Sequence, residues 1–245
     1  MSFSEQMDGL FKLHLVAQGL EHATRKRGEC NEWVQSVSSE FVYSYFVFNS
    51  LYATHWGESV KTGQMTDWET HQKNVGGGRK YEFDRIQAMT KFIGNDKLNA
   101  SLSKNFKRHL RVNEGTACQA LMSIQSDSRI SDKMNRQFQK PVSITVDIKK
   151  AFGNIVQNQD IVNSVDTMLC FIFHVRNNVF HGSKWVLPNV DVDQGERLKI
   201  YTAVLLAVND LLFDAVEETT KGKKEEWSRD KVLREQEQQD RTRME

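Results

Sequence analysis

At 245 residues, 39% hydrophobic and 27% charged, the chain has enough apolar material to bury a core and is not disordered as a whole; it is most simply one enlarged domain or one domain plus an extension. A formal net charge of +1 excludes a global electrostatic pull on nucleic acid, so any RNA contact must come from a local patch. Cys30, Cys118 and Cys170 are odd in number without metal-type spacing, no leader pattern opens the chain, and no apolar run approaches the ~18 residues of a membrane span, so the expectation is a soluble, cytoplasmic protein without disulfides, bound metal or membrane contact.

Two prolines, Pro141 and Pro188, and a scarcity of alternating β-branched runs predict an all-α protein. Residues 3 to 24 carry Phe3, Met7, Leu10, Phe11, Leu13, Val16, Ala17 and Leu20 at helical spacing, then break at Arg25-Lys26-Arg27-Gly28. From Val34 to Trp56 the rings of Phe41, Tyr45, Phe48 and Tyr52 suggest a central helix buried on two faces, with a strand over Phe41 to Phe48 as the alternative. The pattern fades over 57 to 80, a long loop with a short helix around Trp68. Its Gly76-Gly77-Gly78 lacks the strand and the helix-borne Lys-Ser/Thr of a phosphate-cradling loop.

A helix resumes near Tyr81 with Phe83, Ile86, Met89 and Ile93, and breaks at Gly94-Asn95-Asp96. Leu98 to Val112 predict an amphipathic helix with Leu98, Leu102, Phe106 and Leu110 on one side. Lys104, Lys107, Arg108 and Arg111 form the other, a basic face that is either solvated or a contact for an RNA backbone. A short helix over 116 to 125 ends at Asp127-Ser128. Pro141 disfavours helix at Lys140, Val142 to Val146 read as a short extended piece, and a helix follows over Ile148 to Val156. After a loop at Trp185 to Asn189, Asp193 and Glu196 form a capping box opening a helix of about 25 residues, whose Leu198, Tyr201, Leu205, Val208 and Leu212 make a stripe suited to packing on the helix before it. Residues 221 to 245 are charge-rich and too poor in apolar residues to pack; they are expected to be a frayed helix or a disordered tail beyond a domain spanning 1 to 220.

The most informative stretch is Val175-Arg176-Asn177-Asn178-Val179-Phe180-His181-Gly182. It closes a helix predicted over 161 to 181 from the spacing of Ile161, Val165, Met168, Leu169, Ile172, Val175 and Val179, with Asp160 placed to cap it and Gly182 to stop it. At the helical angle His174, Asn177, Asn178 and His181 share one stripe opposite the apolar residues. Arg176 falls at the edge of the apolar side, where a guanidinium is costly unless a carboxylate, a phosphate or a facing subunit pairs with it. Arg176 and His181 are about 140° apart in azimuth and roughly 7.5 Å in rise, too far for contact on a regular helix. Either the helix unwinds before Gly182 or the two groups converge across a symmetry axis.

Arg176-Asn177, three residues and then His181 are similar to the Arg-polar-x(3)-His signature of the HEPN superfamily (higher eukaryotes and prokaryotes nucleotide-binding). The following Gly182-Ser183-Lys184 resembles the Gly-x-Lys often found after it in bacterial defence-type members. The resemblance covers residues 130 to 220. It implies a HEPN-like helical bundle, here with additional N-terminal helices, and a metal-independent endoribonuclease of the toxin or phage-defence kind, acting without a cofactor on single-stranded RNA or tRNA. It further implies His181 as general acid/base, Arg176 holding the scissile phosphate, Asn177 orienting one of them, and a homodimer whose signature helices pool both sets in one cleft. Asn178, His174 and Lys184 are candidate RNA contacts beside them, and Lys104 and Arg108 at a distance. Because a free ribonuclease would harm its host, the resemblance also implies control by an antitoxin or sensor partner.

The chemistry is consistent with those residue types. RNA can be cut without a metal because its own 2′-hydroxyl attacks the neighbouring phosphorus, so the protein need only take one proton, give another and neutralise the phosphorane's growing charge. An imidazole suits the proton work and a guanidinium the non-bridging oxygens. A purely structural reading stands beside this one: Arg and His at a helix C-terminus are favoured by the macrodipole, and Asn can cap. His174 reads either as a second proton donor or as a partly buried structural residue, and Lys184 as a phosphate contact or ordinary loop charge. Two other functions fit the sequence: a catalytically inactive HEPN-like module that binds RNA, a nucleotide or a protein, and a helical scaffold whose charged tail docks elsewhere.

Overall fold

The computed structural model describes residues 3–25, 30–52, 86, 89–90, 93–157, 159, 165–180, 192–222 and 226–244, and no strand occurs among the described residues. The helices are α1 (Phe3–Arg25), α2 (Cys30–Ser50), α3 (Asn95–His109), α4 (Glu114–Met122), α5 (Ser128–Phe138), a π-helical turn (Ile144–Ile148) leading into α6 (Lys149–Val156), α7 (Val165–Phe180), α8 (Val192–Thr220) and α9 (Arg229–Met244). The all-α expectation holds.

The centre of the molecule is α8. From Ile200 through Asp210 every residue is 6% exposed or less, and burial all the way round a helix requires neighbours on every side. α2 and α3 are the chief ones, with α4 and α1 completing the ring. The single stripe legible on this helix predicts one buried face turned toward the signature helix; Ala203, Val204, Leu206 and Ala207 are buried as well. The signature helix α7 packs on α2, α3, α5, α6 and the π turn, and touches α8 through Phe171, whose ring centroid is 5.7 Å from that of Tyr201. In α2, Phe41, Tyr45 and Phe48 are buried, as is Tyr52 just past its end, while Tyr43 and Phe46 are exposed, so the aromatic run is a helix and not a strand.

Three local readings are corrected. The Asp127-Ser128 break is also a beginning: the Asp127 carboxylate accepts from the amides of Arg129 and Ile130 and caps α5, which ends on Gln139 in the left-handed region at φ 52°. Of the expected extended piece over Val142 to Val146, Ser143 is extended but Ile144 to Val146 are coiled into the π turn. The amides of Val146, Asp147 and Ile148 all donate to the Ser143 carbonyl, and Asp147 accepts from the Ser143 amide at 2.7 Å, so local side-chain bonding overrides β-branched propensity. At the start of α8, Asp193 lies within the first turn and Glu196 pairs with Lys199 at 3.0 Å, so the expected capping box does not form there.

The tail is helical over Arg229–Met244, one of its two expected states, but contrary to expectation it packs. Trp227 is 2% exposed, its ring 5.8 Å from Phe11 and 5.5 Å from Phe213, and its indole N–H donates to Asp8 at 2.9 Å. Arg229 then fastens the start of α9 to Asp214 and Glu217 of α8. One large aromatic supplies a packing anchor that a composition average hides. Ile86 and Met89 are buried helical positions, as expected. The loop over 57 to 80 with its helix at Trp68, the start of the signature helix at 161 to 164 and the Trp185 to Asn189 loop lie outside the described residues. Among the described residues no helix is long and apolar enough to cross a membrane.

Candidate functional site

α7 buries Val165, Met168, Leu169, Cys170, Phe171 and Ile172, and this apolar body fixes where its polar end sits. Arg176 is half-buried, its guanidinium carbon 4.7 Å from the centroid of Tyr45 on α2 and 5.6 Å from Phe173 one turn earlier on its own helix. A cation over a ring face is worth ~0.5–2 kcal/mol, so two π faces offset part of the cost of placing this charge at the apolar edge. The backbone of α7 stays helical through Phe180, so unwinding before that residue is not what closes the gap between Arg176 and His181. His181 and Lys184, and the side chains of Asn177 and Asn178, lie outside the described residues.

His174 is not on an outward polar stripe. It is 5% exposed, and its Nε2 donates to the Gln137 Oε1 of α5 at 3.1 Å; the same oxygen accepts from the Cys170 thiol at 3.0 Å. Burial, and then the nearby charge of Lys133, lower its pKa from the ordinary 6.5 to about 4. Burial likewise pushes the Cys170 thiol up, which leaves it protonated and unreactive.

This buried imidazole makes stability depend on pH. The unfolded chain takes up a proton near 6.5 and the folded chain only near 4, so stability is complete above 6.5 and is lost as pH falls between those values. From pH 7 to pH 5 the loss from this residue is about 2 kcal/mol. His174→Gln is expected to remove that part of the decline in urea unfolding measured at the two pH values; a variant that declines as steeply as the parent would show that the residue is not held neutral.

A second constellation, which the sequence reading does not find, links α1, α3 and α8. The carboxylate of Asp210 accepts from His14 Nε2 at 2.9 Å, from His109 Nε2 at 2.7 Å and from the Arg108 guanidinium at 2.5 Å. The Gln18 side-chain amide lies 2.8 Å from the same His14 nitrogen, and Arg111 binds both the Gln18 carbonyl and, at 3.2 Å, Glu40 of α2. Burial lowers the pKa of His14 against the opposing pull of Asp210, which favours the neutral ring. The signal available in sequence is a lone carboxylate, Asp210, inside an apolar helical run, since a charge buried there must find partners. Which partners it finds is a matter of tertiary contact.

This network ties up two of the four cations expected on one basic face, Arg108 on α3 and Arg111, which lies past the end of the helix at His109. Arg108 is 63% exposed at its side chain yet ion-paired with Asp210, at the edge of an open groove of about 760 Å³ that Phe11, Gln18, Trp227 and Arg229 also line. Lys104 and Lys107 are the exposed cations of that face that stand outside it. Among the described residues no group of three or more His, Cys, Asp or Glu side chains is arranged to hold a metal ion.

Comparison of the chain with protein-family models, with curated proteins and with solved structures gives no match. The HEPN resemblance therefore rests on the sequence pattern alone, Arg176, Asn177 and His181 followed by Gly182-Ser183-Lys184.

Proposed function

We propose that the chain is a HEPN-like, metal-independent endoribonuclease of the toxin or phage-defence kind, cleaving single-stranded RNA or tRNA in the cytoplasm at a composite site between two copies. The observation that carries this reading is Arg176: a guanidinium half-buried against Tyr45 and Phe173 near the end of an apolar helix, with His181 and Gly182 directly beyond. A cation kept in such surroundings is aimed and partly desolvated, which strengthens its pull on a phosphate. His181 of one copy takes the proton of the ribose 2′-hydroxyl as that oxygen attacks phosphorus, and His181 of the other copy gives a proton to the departing 5′-oxygen. Arg176 neutralises the non-bridging oxygens, Asn177 orients the reacting groups, and Asn178 and Lys184 hold flanking phosphates. An antitoxin or sensor partner restrains the activity.

The test is cleavage of single-stranded RNA by the purified chain in EDTA. Cutting is expected to persist and to leave a 2′,3′-cyclic phosphate, while a strand with 2′-deoxyribose at the scissile position stays whole. Loss of cutting in EDTA, or equal cutting of DNA, would overturn the reading. RNA binding with no cleavage would favour the inactive module instead.

A further inference from the structure

α5 is a short helix with one side in the core, through Ile130 and Met134. Its other side carries Arg129, Lys133 and Arg136, and Lys140 follows just past the left-handed Gln139; all four are exposed. Arg129, Lys133 and Arg136 recur at helical spacing, so these three form one ridge with successive cations roughly 4.5–6 Å apart along the axis, and Lys140 adds a fourth charge beyond the helix end. Against these four cations the segment from Ser128 to Lys140 sets a single uncommitted carboxylate, Asp132, a net of +3 in a chain whose total is +1. None of the four is held in an ion pair among the described residues, whereas Arg108 on α3 and Arg111 just beyond its end are bound to Asp210 and Glu40. Arg136 is steadied along the helix by its Nε, which donates to the Asp132 carbonyl at 3.2 Å.

The position of the ridge matters as much as its charge. α5 packs directly on the signature helix, joined by the bonds from Cys170 and His174 to Gln137, and the charge of Lys133 reaches His174. Arg176 lies two residues beyond His174. We propose that the outer ridge of α5 is the platform on which the phosphate backbone of a single-stranded RNA lies as it passes toward the Arg176 end of α7. The proposal rests on the ribonuclease reading and deepens it: contacts to phosphate carry no sequence information, so the ridge supplies affinity and direction for the strand while selectivity comes from elsewhere.

The test uses the full chain and a single-stranded 2′-O-methyl oligoribonucleotide, which binds without offering a 2′-hydroxyl for attack. Affinity is measured as a function of salt for the parent, for R129Q/K133Q/R136Q/K140Q on α5, and for K104Q/K107Q on α3, each checked for an unchanged helical spectrum. Every phosphate contact contributes about 0.7 to the logarithmic salt slope of a single strand, so the α5 variant is expected to lower the slope by as much as about 3. With the 1 M intercept unchanged, that corresponds to a loss of up to about 10³-fold in affinity at about 0.1 M salt. An α5 variant with the parent's slope, and above all one in which the α3 variant takes the loss instead, overturns the platform and leaves the ribonuclease reading standing. A parent that neither binds this strand nor cleaves unmodified RNA overturns both.

Discussion

His181→Ala is expected to lower RNA cleavage by about 10²–10⁴-fold, the range for removing a positioned proton donor or acceptor. Arg176→Ala is expected to lower it by about 10²–10³-fold, the range for losing one electrostatic stabiliser of the transition state. The two differ in what else they change. Arg176 packs on Tyr45 and Phe173, so its alanine variant also forfeits ~0.5–2 kcal/mol of cation–π contact, which a denaturant midpoint will record. Arg176→Lys separates the contributions: it keeps the charge over the rings but not the planar fork, and is expected to retain the stability while recovering only part of the rate. Cleavage at the parent's rate by a clean preparation of either alanine variant would remove the proposed chemistry.

Asp210→Ala is expected to cost the fold about 3–5 kcal/mol, as when one partner of a buried ionic cluster is deleted. A single carboxylate serves three donors from two helices, so its loss leaves the rings of His14 and His109 without their acceptor, and each unmade buried bond costs about 1–3 kcal/mol. Arg108 suffers least, because its exposed head can turn to water. Burial raises the pKa of Asp210, but the hydrogen bonds from His109 and then His14 lower it further, and the balance falls below the ordinary 3.8. The stabilisation is therefore fully present above that value and is lost only in stronger acid, below the window set by His174. Urea unfolding at pH 7 measures the effect, and an alanine variant within about 0.5 kcal/mol of the parent would show that the cluster contributes nothing.

Periodicity makes the fold class legible, and with it the aromatic helix around Phe41 to Tyr52, the amphipathic Leu98 to Phe106 face and the long α8, because each has an apolar repeat long enough to stand above chance. α5 hides because a helix of 11 residues with two buried side chains, Ile130 and Met134, leaves little to count. The π turn hides because Val142, Ile144 and Val146 have strand propensity, while the bond between Asp147 and Ser143 that defeats it depends on local geometry. At the candidate site, the position of Arg176 on the apolar edge is readable from a helical wheel. The inward turn of His174 is not, because Gln137, which satisfies it, belongs to a different helix.

The long separations in the core bear on how the polypeptide is made. His14 and Asp210 are 196 positions apart and meet in the interior, and Trp227 reaches back 219 positions to Asp8. At ribosomal speeds of about 5–20 residues per second, roughly 10–40 s pass between the emergence of one member of the first pair and the other. Through that interval α1 and α2 hold exposed apolar faces awaiting a late-arriving spine, so the nascent chain is most vulnerable to proteases and holdases just before α8 leaves the tunnel.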